Sequence, residues 1–495
     1  INLVVVKAVA QNANSCELRG PLERRTGDGN GCCIFNRRGL QMSEDDSVFG
    51  TLKLPCRVYL LKRDYIVENP DGTWVNLSEP MFRRRLKILQ CRYIEDILDH
   101  IAKNYHIDFA GGIAGYATGF YEMNGTRCLV TKPPRLIEPV SGPFPVVAEL
   151  IRNLFGEIQE PYAKSWLQAA VLRVRRMQAV QLQVMALAGP RNCGKNRWQE
   201  WIVTPCLGGR VANPYQYMTD TTAFNDDLAS AEHLMIADQE SYTEKRVRDR
   251  LGDFIKQVAV NKEQSIHPKY QKKNVITPIW AMTISCNLGP RDLLVIPPLE
   301  PNVRDRLHLF KCARKPMPMP VQSMDEKLHF EQTVKAELPM LLYHLLYEWK
   351  IPTEIIDLES RFPTRTYHNL YLVQKLQWLS QEGIYQQIID AVLYPVNPKK
   401  VRFDLYPNGK VPWIGTAAEL QRALCDKDVG MSNQVTRVSS DPRRAGELLS
   451  KLRAADSERF HYLHKKNGFH RWKIEPPAYW NGNSLKNEGK LGHGV

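Results

Sequence analysis

The chain has 495 residues, 43% hydrophobic and 24% charged, enough apolar material for several packed domains, about three by length. Lys plus Arg (67) outnumber Asp plus Glu (53), and the net charge of +14 points to a polyanionic partner. No stretch reaches the roughly 18 uncharged apolar residues needed to cross a bilayer, so a membrane protein is excluded.

Residues 1–56 lack periodicity, with Gly, Arg and Asp crowded between Gly20 and Gly39, the pattern of an irregular arm. The first residue is Ile1 rather than Met, and a preceding segment is expected. Val58–Leu60 and Tyr65–Val67 read as strands, and Asp71-Gly72 turns the chain into Thr73–Val75. Ser78-Glu79-Pro80 starts a helix over Met81–Gln90, its polar side carrying Arg83, Arg84, Arg85 and Lys87. Thr118–Thr131, broken at Asn124-Gly125, is a further hairpin, and residues 57–145 together make a small α+β module. A helical collar is expected over 146–180. From 181 to 320, strand-like apolar runs alternate with polar helical segments, the signature of an α/β core with a mostly parallel sheet and flanking helices. Lys327–Lys350 and Glu354–Leu393 supply a helical subdomain over 321–400, which Pro395, Pro398 and Pro407 link to the last domain.

Residues 401–495 read as a winged helix. Pro412–Thr416 opens a helix over Ala417–Leu424, and Asp441 caps a second one carrying Arg443, Arg444, Lys451 and Arg453. Arg459–Leu463 and Phe469–Ile474 are strands of a basic wing that includes Lys465, Lys466 and Arg471. Here 16 Lys plus Arg face 10 Asp plus Glu, which favours DNA, with the basic helix in a major groove and the wing on phosphates. A protein-docking module is the alternative. The eleven cysteines include no Cys-x-x-Cys pair and no His at finger spacing, against both a disulfide framework and a zinc site. A reducing, cytoplasmic setting follows.

The sharpest motif is Gly189-Pro190-Arg191-Asn192-Cys193-Gly194-Lys195-Asn196, between the apolar run Val184–Leu187 and a helix expected from Arg197. Strand, glycine-rich turn and helix are the context of a P-loop, in which backbone N–H groups cradle phosphates and Lys195 reaches the β- and γ-phosphates of ATP. Asn196 stands where a Ser or Thr ordinarily holds Mg²⁺. The strand His233–Ala237 leads into Asp238, the expected Mg²⁺ carboxylate, followed by Gln239 and Glu240 in place of the water-orienting Glu. A second strand, Thr277–Cys286, ends at Asn287, which reads either as a contact to the γ-phosphate or attacking water or as a turn residue. Arg306, and after it Arg304, are candidates for donation into a neighbouring subunit's site, with a surface ion pair as the alternative.

In this order the motifs resemble those of superfamily 3 helicases, most closely the helicase portion of phage and prophage primase-helicases. Asp108–Tyr116, Gly119–Tyr121, Pro134–Pro139 and Phe254–Gln257 extend the likeness over about residues 57–475. The resemblance implies an AAA+-like core and a homo-oligomeric ring, usually a hexamer, that draws single-stranded DNA through its centre with ATP and Mg²⁺. It further implies forked DNA as substrate, a primase or polymerase as partner, and a bacterial or host cytoplasm. It makes 265–273 a pore hairpin in which His267, Lys269, Lys272 and Lys273 grip the DNA backbone, a reading that basic residues flanking Tyr270 support. A solvated basic loop is the alternative there. Asn196 and Gln239 depart from the pattern, so a catalytically weakened ATP-binding ring acting as scaffold or loader is one rival. A sequence-specific origin or operator binder is another. No strand carries an Asp-x-Asp pair suited to nucleotidyl transfer, and no primase activity is expected of this chain.

Overall fold

β-Branched and aromatic residues on either side of tight turns build the first sheet. β1 (Val58–Leu61), β2 (Asp64–Glu68) and β3 (Trp74–Ser78) form an antiparallel meander. α1 (Glu79–Ile88) has Pro80 in its first turn and buries Phe82 and Leu86; α2 (Ile94–Asn104) adds Ile97, Leu98 and Ile101 to the same core. β4 (His106–Ile107) returns parallel to β1. A second sheet comprises β5 (Phe109–Gly111), β6 (Gly119–Met123) and β7 (Thr126–Val130), the last two joined at Asn124-Gly125. The computed structural model describes residues 48–49, 52–53, 56–219, 222, 225–237, 239, 245–260, 263–266, 274–466 and 469–480. The expected N-terminal arm thus falls almost wholly outside the described residues.

The collar is α3 (Pro145–Arg175), bent where Gly156 takes φ +66°. Its Leu150, Trp166 and Val171 pack with Met185 and Leu187 of β8 (Val184–Ala188), so the strand that enters the glycine-rich turn is clamped by helix. Beyond the turn a helical run begins as α4 (Lys195–Arg197), widens into a π-helix over Trp198–Val203 and closes as Thr204–Cys206. There follow β9 (Val211–Ala212), β10 (His233–Ala237), α5 (Lys245–Val260) and an antiparallel pair, β11 (Gln264–Ile266) with β12 (Asn274–Ile276). β13 (Ala281–Cys286) and β14 (Leu307–Lys311) complete a five-stranded sheet in the order β9-β10-β13-β8-β14. Every pairing in it is parallel. This is the expected α/β core of P-loop NTPase type. Its register sets Ala188 beside Cys286 and Lys311, and Ala237 beside Ser285, so the segments after β8, β10 and β13 leave from one end of the sheet. α6 (Met324–Tyr343) starts three residues earlier than its periodicity predicts, because Ser323 and Glu326 form a capping box.

A second unit begins at Leu370. It contains α7 (Leu370–Trp378), α8 (Gln381–Leu393), β15 (Trp413–Thr416), α9 (Ala417–Leu424), α10 (Ser432–Val438) and α11 (Pro442–Ala455). β16 (Phe460–Lys466) and β17 (Phe469–Ile474) form an antiparallel hairpin, and the sheet order is β15-β17-β16. α8 shares its core with α9 and α11, where Ile389 and Leu393 pack with Leu420 and Leu448, so this unit starts before residue 401. Among the described residues no helix is long and apolar enough to cross a membrane.

Candidate functional site

The turn after β8 is shaped by two glycines for different reasons. The Gly189 amide donates to the Cys286 carbonyl at 3.2 Å, and a Cβ at Gly189 would lie 2.7 Å from Cβ of Cys312 and 2.8 Å from its carbonyl oxygen. Asn192 and Gly194 take φ of +59° and +102°, folding the chain back so that helix begins at Lys195. The Trp198 amide donates to the Gly194 carbonyl at 3.0 Å as the first closed turn. N–H groups at such a start are a phosphate cradle.

Lys195 is buried, 4% exposed, and its ammonium is satisfied by exchangeable acceptors. Nζ donates to the carbonyls of Gly189 (3.1 Å) and Pro190 (2.9 Å) and to Oδ1 of Asn287 (3.4 Å). A buried charge needs such partners, and phosphate oxygens would serve in their place. Lys195 and Asn287, 92 residues apart in sequence, are thereby brought together.

A cleft of about 600 Å³ opens over this turn, within the size range of small-ligand sites. Its walls include Arg191, Asn192, Cys193, Gly194, Lys195 and Asn196, with Gln239 and Asn287 facing them. Gln239 donates its side-chain amide to the Ala237 carbonyl at 3.1 Å. Oδ1 of Asn196, the atom expected on Mg²⁺, accepts a hydrogen bond from Oγ of Ser285 at 3.2 Å. Asp238 and Glu240 lie outside the described residues, as do His267, Lys269, Lys272 and Lys273, in the segment joining β11 to β12. Two cleft carboxylates escaped the sequence reading, Glu200 and Asp292. Glu200 follows Asn196 at helical i+4 spacing, a signal that was there to find. Asp292 opens a 3₁₀ turn after Gly289-Pro290, which no periodicity announces.

Three solved structures are similar to the chain. The apo C-terminal region of NrS-1 is similar at 13% identity over 85% of this chain and 97% of that one, with a TM-score of 0.49. A second apo form of that region gives 13%, 85%, 96% and 0.48. JCV helicase is similar at 11% identity over 48% of this chain and 61% of that one, with a TM-score of 0.27. No family model and no curated protein matches. No residue role passes from these structures to the cleft.

The two arginines stand elsewhere. They precede β14, and because Val184 pairs with Leu307 in parallel, they sit at the end of the sheet opposite the glycine-rich turn. Arg306, the first choice, donates to the Asn302 carbonyl and to Oδ1 of Asp305 at 2.8 Å, while Asp305 also receives Arg361 at 2.6 Å. Arg304 is exposed.

In the second unit, the basic residues of α11 divide between two faces. Arg444 donates to Glu447 (2.8 Å) and Gln381 (2.5 Å), and Lys451 to Glu382 (2.7 Å), so both are engaged within the unit. Arg443, with its side chain 91% exposed, lines a groove with Gly446, Ser450, Arg453, Tyr462 and Trp472. Arg471 of β17 pairs with Leu463 of β16, and the side chains of Lys465 and Lys466 lie outside the described residues.

Proposed function

We propose that the chain is an ATP-dependent, ring-forming DNA helicase that moves on single-stranded DNA during replication of a phage or other mobile element. The observation that carries this reading is the meeting of Lys195 with Asn287 at 3.4 Å in a cleft walled by the glycine-rich turn and Gln239. Turn N–H groups and Lys195 bind the triphosphate, and Asn287 orients its outer end. Asn196 and Asp238 are the residues that would hold Mg²⁺, which would neutralise charge on the phosphate oxygens. The site fits the pair through its buried ammonium and its polar cleft.

The segment between β11 and β12 carries His267, Lys269, Lys272 and Lys273 onto the DNA backbone. The hairpin base is buttressed by the small module, since Ile266 and Ile276 pack with Ile113 and Val130. Six copies form the ring, forked DNA is the working substrate, and the last unit contacts duplex. A primase or polymerase acts beside it.

A second reading is favoured by Gln239 in the cleft, because an amide takes no proton from water. It is an ATP-binding ring of slow turnover that serves as a scaffold or loader. DNA-stimulated ATPase and fork-unwinding assays on wild type and Lys195→Ala test the proposal. The helicase loses both activities in the variant, whereas an origin or operator binder keeps its site preference. A wild-type protein that binds no ATP and forms no ring on DNA overturns it.

A further inference from the structure

The end of β14 places a second thiol against the glycine-rich turn. Ala188 pairs with Lys311, and the Cys312 amide donates to the Ala188 carbonyl at 2.8 Å, so Cys312 lies beside Gly189. Cys193, four residues into the turn, comes back onto the same point: a Cβ at Gly189 would lie 2.7 Å from Cβ of Cys312 and 3.1 Å from Sγ of Cys193. With both atoms that close to one point, Cβ of Cys312 and Sγ of Cys193 lie within about 6 Å of each other (2.7 plus 3.1 Å at most). Lys195 Nζ lies 3.7 Å from Sγ of Cys193, a buried residue that lines the cleft.

We propose that Cys193 and Cys312 are a peroxide-sensitive thiol pair whose disulfide closes the phosphate-binding turn to nucleotide. As a regulatory device of the cleft, this rests on the nucleotide reading above. The Cys193 thiol is pulled down to about 6 by the hydrogen bond from Cys312 and the charge of Lys195, against the burial that opposes them. Burial raises Cys312, so it keeps its proton. Reactive cysteines are thiolates in electropositive surroundings, the state toward which Cys312 and Lys195 push Cys193.

Two steps follow. The Cys193 thiolate attacks one oxygen of hydrogen peroxide, the O–O bond breaks, and the leaving hydroxide takes a proton to become water. Sulfur of Cys312 then attacks the resulting sulfenic sulfur, the S–O bond breaks, and the departing hydroxide carries off the Cys312 proton as a second water. The two sulfurs together lose two electrons to the peroxide. Closing from thiol contact to an S–S bond of about 2.05 Å draws the turn toward β14 by on the order of 1 Å. The N–H groups meant for phosphate move with it.

The test is peroxide treatment of the full chain, alkylation with N-ethylmaleimide, and a tryptic map. Cleavage after Arg191, Lys195, Lys311 and Arg314 isolates the two cysteines in peptides 192–195 and 312–314. The expected result is those two peptides joined, with affinity for a fluorescent ATP analogue lowered about ten-fold or more and restored by dithiothreitol; an ångström of misplacement can cost about a hundred-fold. In Cys312→Ala, and in Cys312→Ser should the first fold poorly, no linked peptide forms and dimedone traps Cys193. Two thiols that stay alkylatable overturn the pair, as does linkage of 192–195 to 274–291, the peptide of Cys286. Linkage with unchanged affinity overturns the gating. A reduced protein that binds no analogue overturns the nucleotide reading and the gating with it, while the peptide map still reports the pair.

Discussion

Gly189→Ala tests whether the glycine-rich turn is built around a bare Cα. The added methyl would meet Cβ of Cys312 at 2.7 Å and its carbonyl oxygen at 2.8 Å, where carbon contacts ordinarily settle at about 3.5–4.0 Å. The carbonyl belongs to backbone anchored by the Cys312 amide on Ala188, so no rotamer change relieves the overlap. The turn must retreat by on the order of 1 Å, an overpacking cost of about 1–3 kcal/mol. For the unit Ile1–Asn369, at an unfolding entropy of about 2.1 cal/mol/K per residue, that lowers Tm by about 1–4 °C. Gly194→Ala is the control with the opposite cause. Its nearest neighbours are Met317 Cε at 3.7 Å and Leu150 Cδ1 at 3.8 Å, so there is room, but φ of +102° strains an alanine by about 1–3 kcal/mol. Differential scanning calorimetry and ATP-analogue titration read both variants. If Gly189→Ala matches wild type in Tm and affinity, the geometry of the turn is wrong.

Gln239→Glu is expected to raise ATP turnover about a hundred-fold or more, the usual contribution of a positioned base, in a steady-state phosphate-release assay; a fall in turnover refutes the role given to Gln239. Stability of the first unit depends on pH through His233 and His308, whose pKa values burial lowers to about 3. Between 3 and the ordinary 6.5 the unfolded chain binds protons that the folded chain does not, so stability falls as pH drops through that window. Each histidine accounts for about 1.4 kcal/mol lost by pH 5.5, measurable as a lower urea midpoint. His233→Gln, which removes a ring bonded to Thr204 and Thr283 at 2.7 and 2.8 Å, is expected to flatten about half of that slope. In the second unit, Arg443→Ala and Arg453→Ala should each weaken DNA binding and reduce its log-salt slope by about 1. Arg444→Ala and Lys451→Ala should leave that slope unchanged; fluorescence anisotropy across a salt series decides.

The sequence carried most where local chemistry sets local structure. Gly189, Gly194 and Lys195 sit at the spacing expected of a phosphate-binding turn; the structure brings the left-handed Gly194 and the Lys195 ammonium to one cleft, while the bare Cα of Gly189 makes room for Cys312. β15 was not legible. Trp413–Thr416 reads as the lead into a helix because Thr416 and Glu419 form the capping box of α9. The same four residues pair with β17, Trp413 with Ile474 and Thr416 with Arg471, a contact some 55 residues away or more that no short window contains. α10 was missed because it is short and polar, burying Val435 alone. On α11 the charges were counted but their faces were not. Arg444 and Lys451 are separated by two helical turns and share the side that meets Glu382 of α8, whereas Arg443, Gly446, Ser450 and Arg453 follow the other side.

The arginines before β14 give the sharpest test of a ring. β14 runs from Leu307 to Lys311, four steps or about 13 Å at 3.3 Å per residue, and the glycine-rich turn leaves from the far end. Neither Arg304 nor Arg306 can serve the nucleotide of its own chain across that span. A role in chemistry therefore requires a neighbouring copy, and between the two Arg304 is the better donor. Arg306 is already committed to Asn302 and Asp305, and releasing it would cost those bonds. Arg304→Ala should abolish ATP turnover while leaving analogue binding within about two-fold, since transition-state charge rather than ground-state affinity is what such a group supplies. Mixing Arg304→Ala with Lys195→Ala should restore part of the activity, because an interface between the two can pair an intact turn with an intact arginine. If the mixture stays as inert as each variant alone, the arginine acts within its own chain or not at all, and the ring loses its chemical reason to exist.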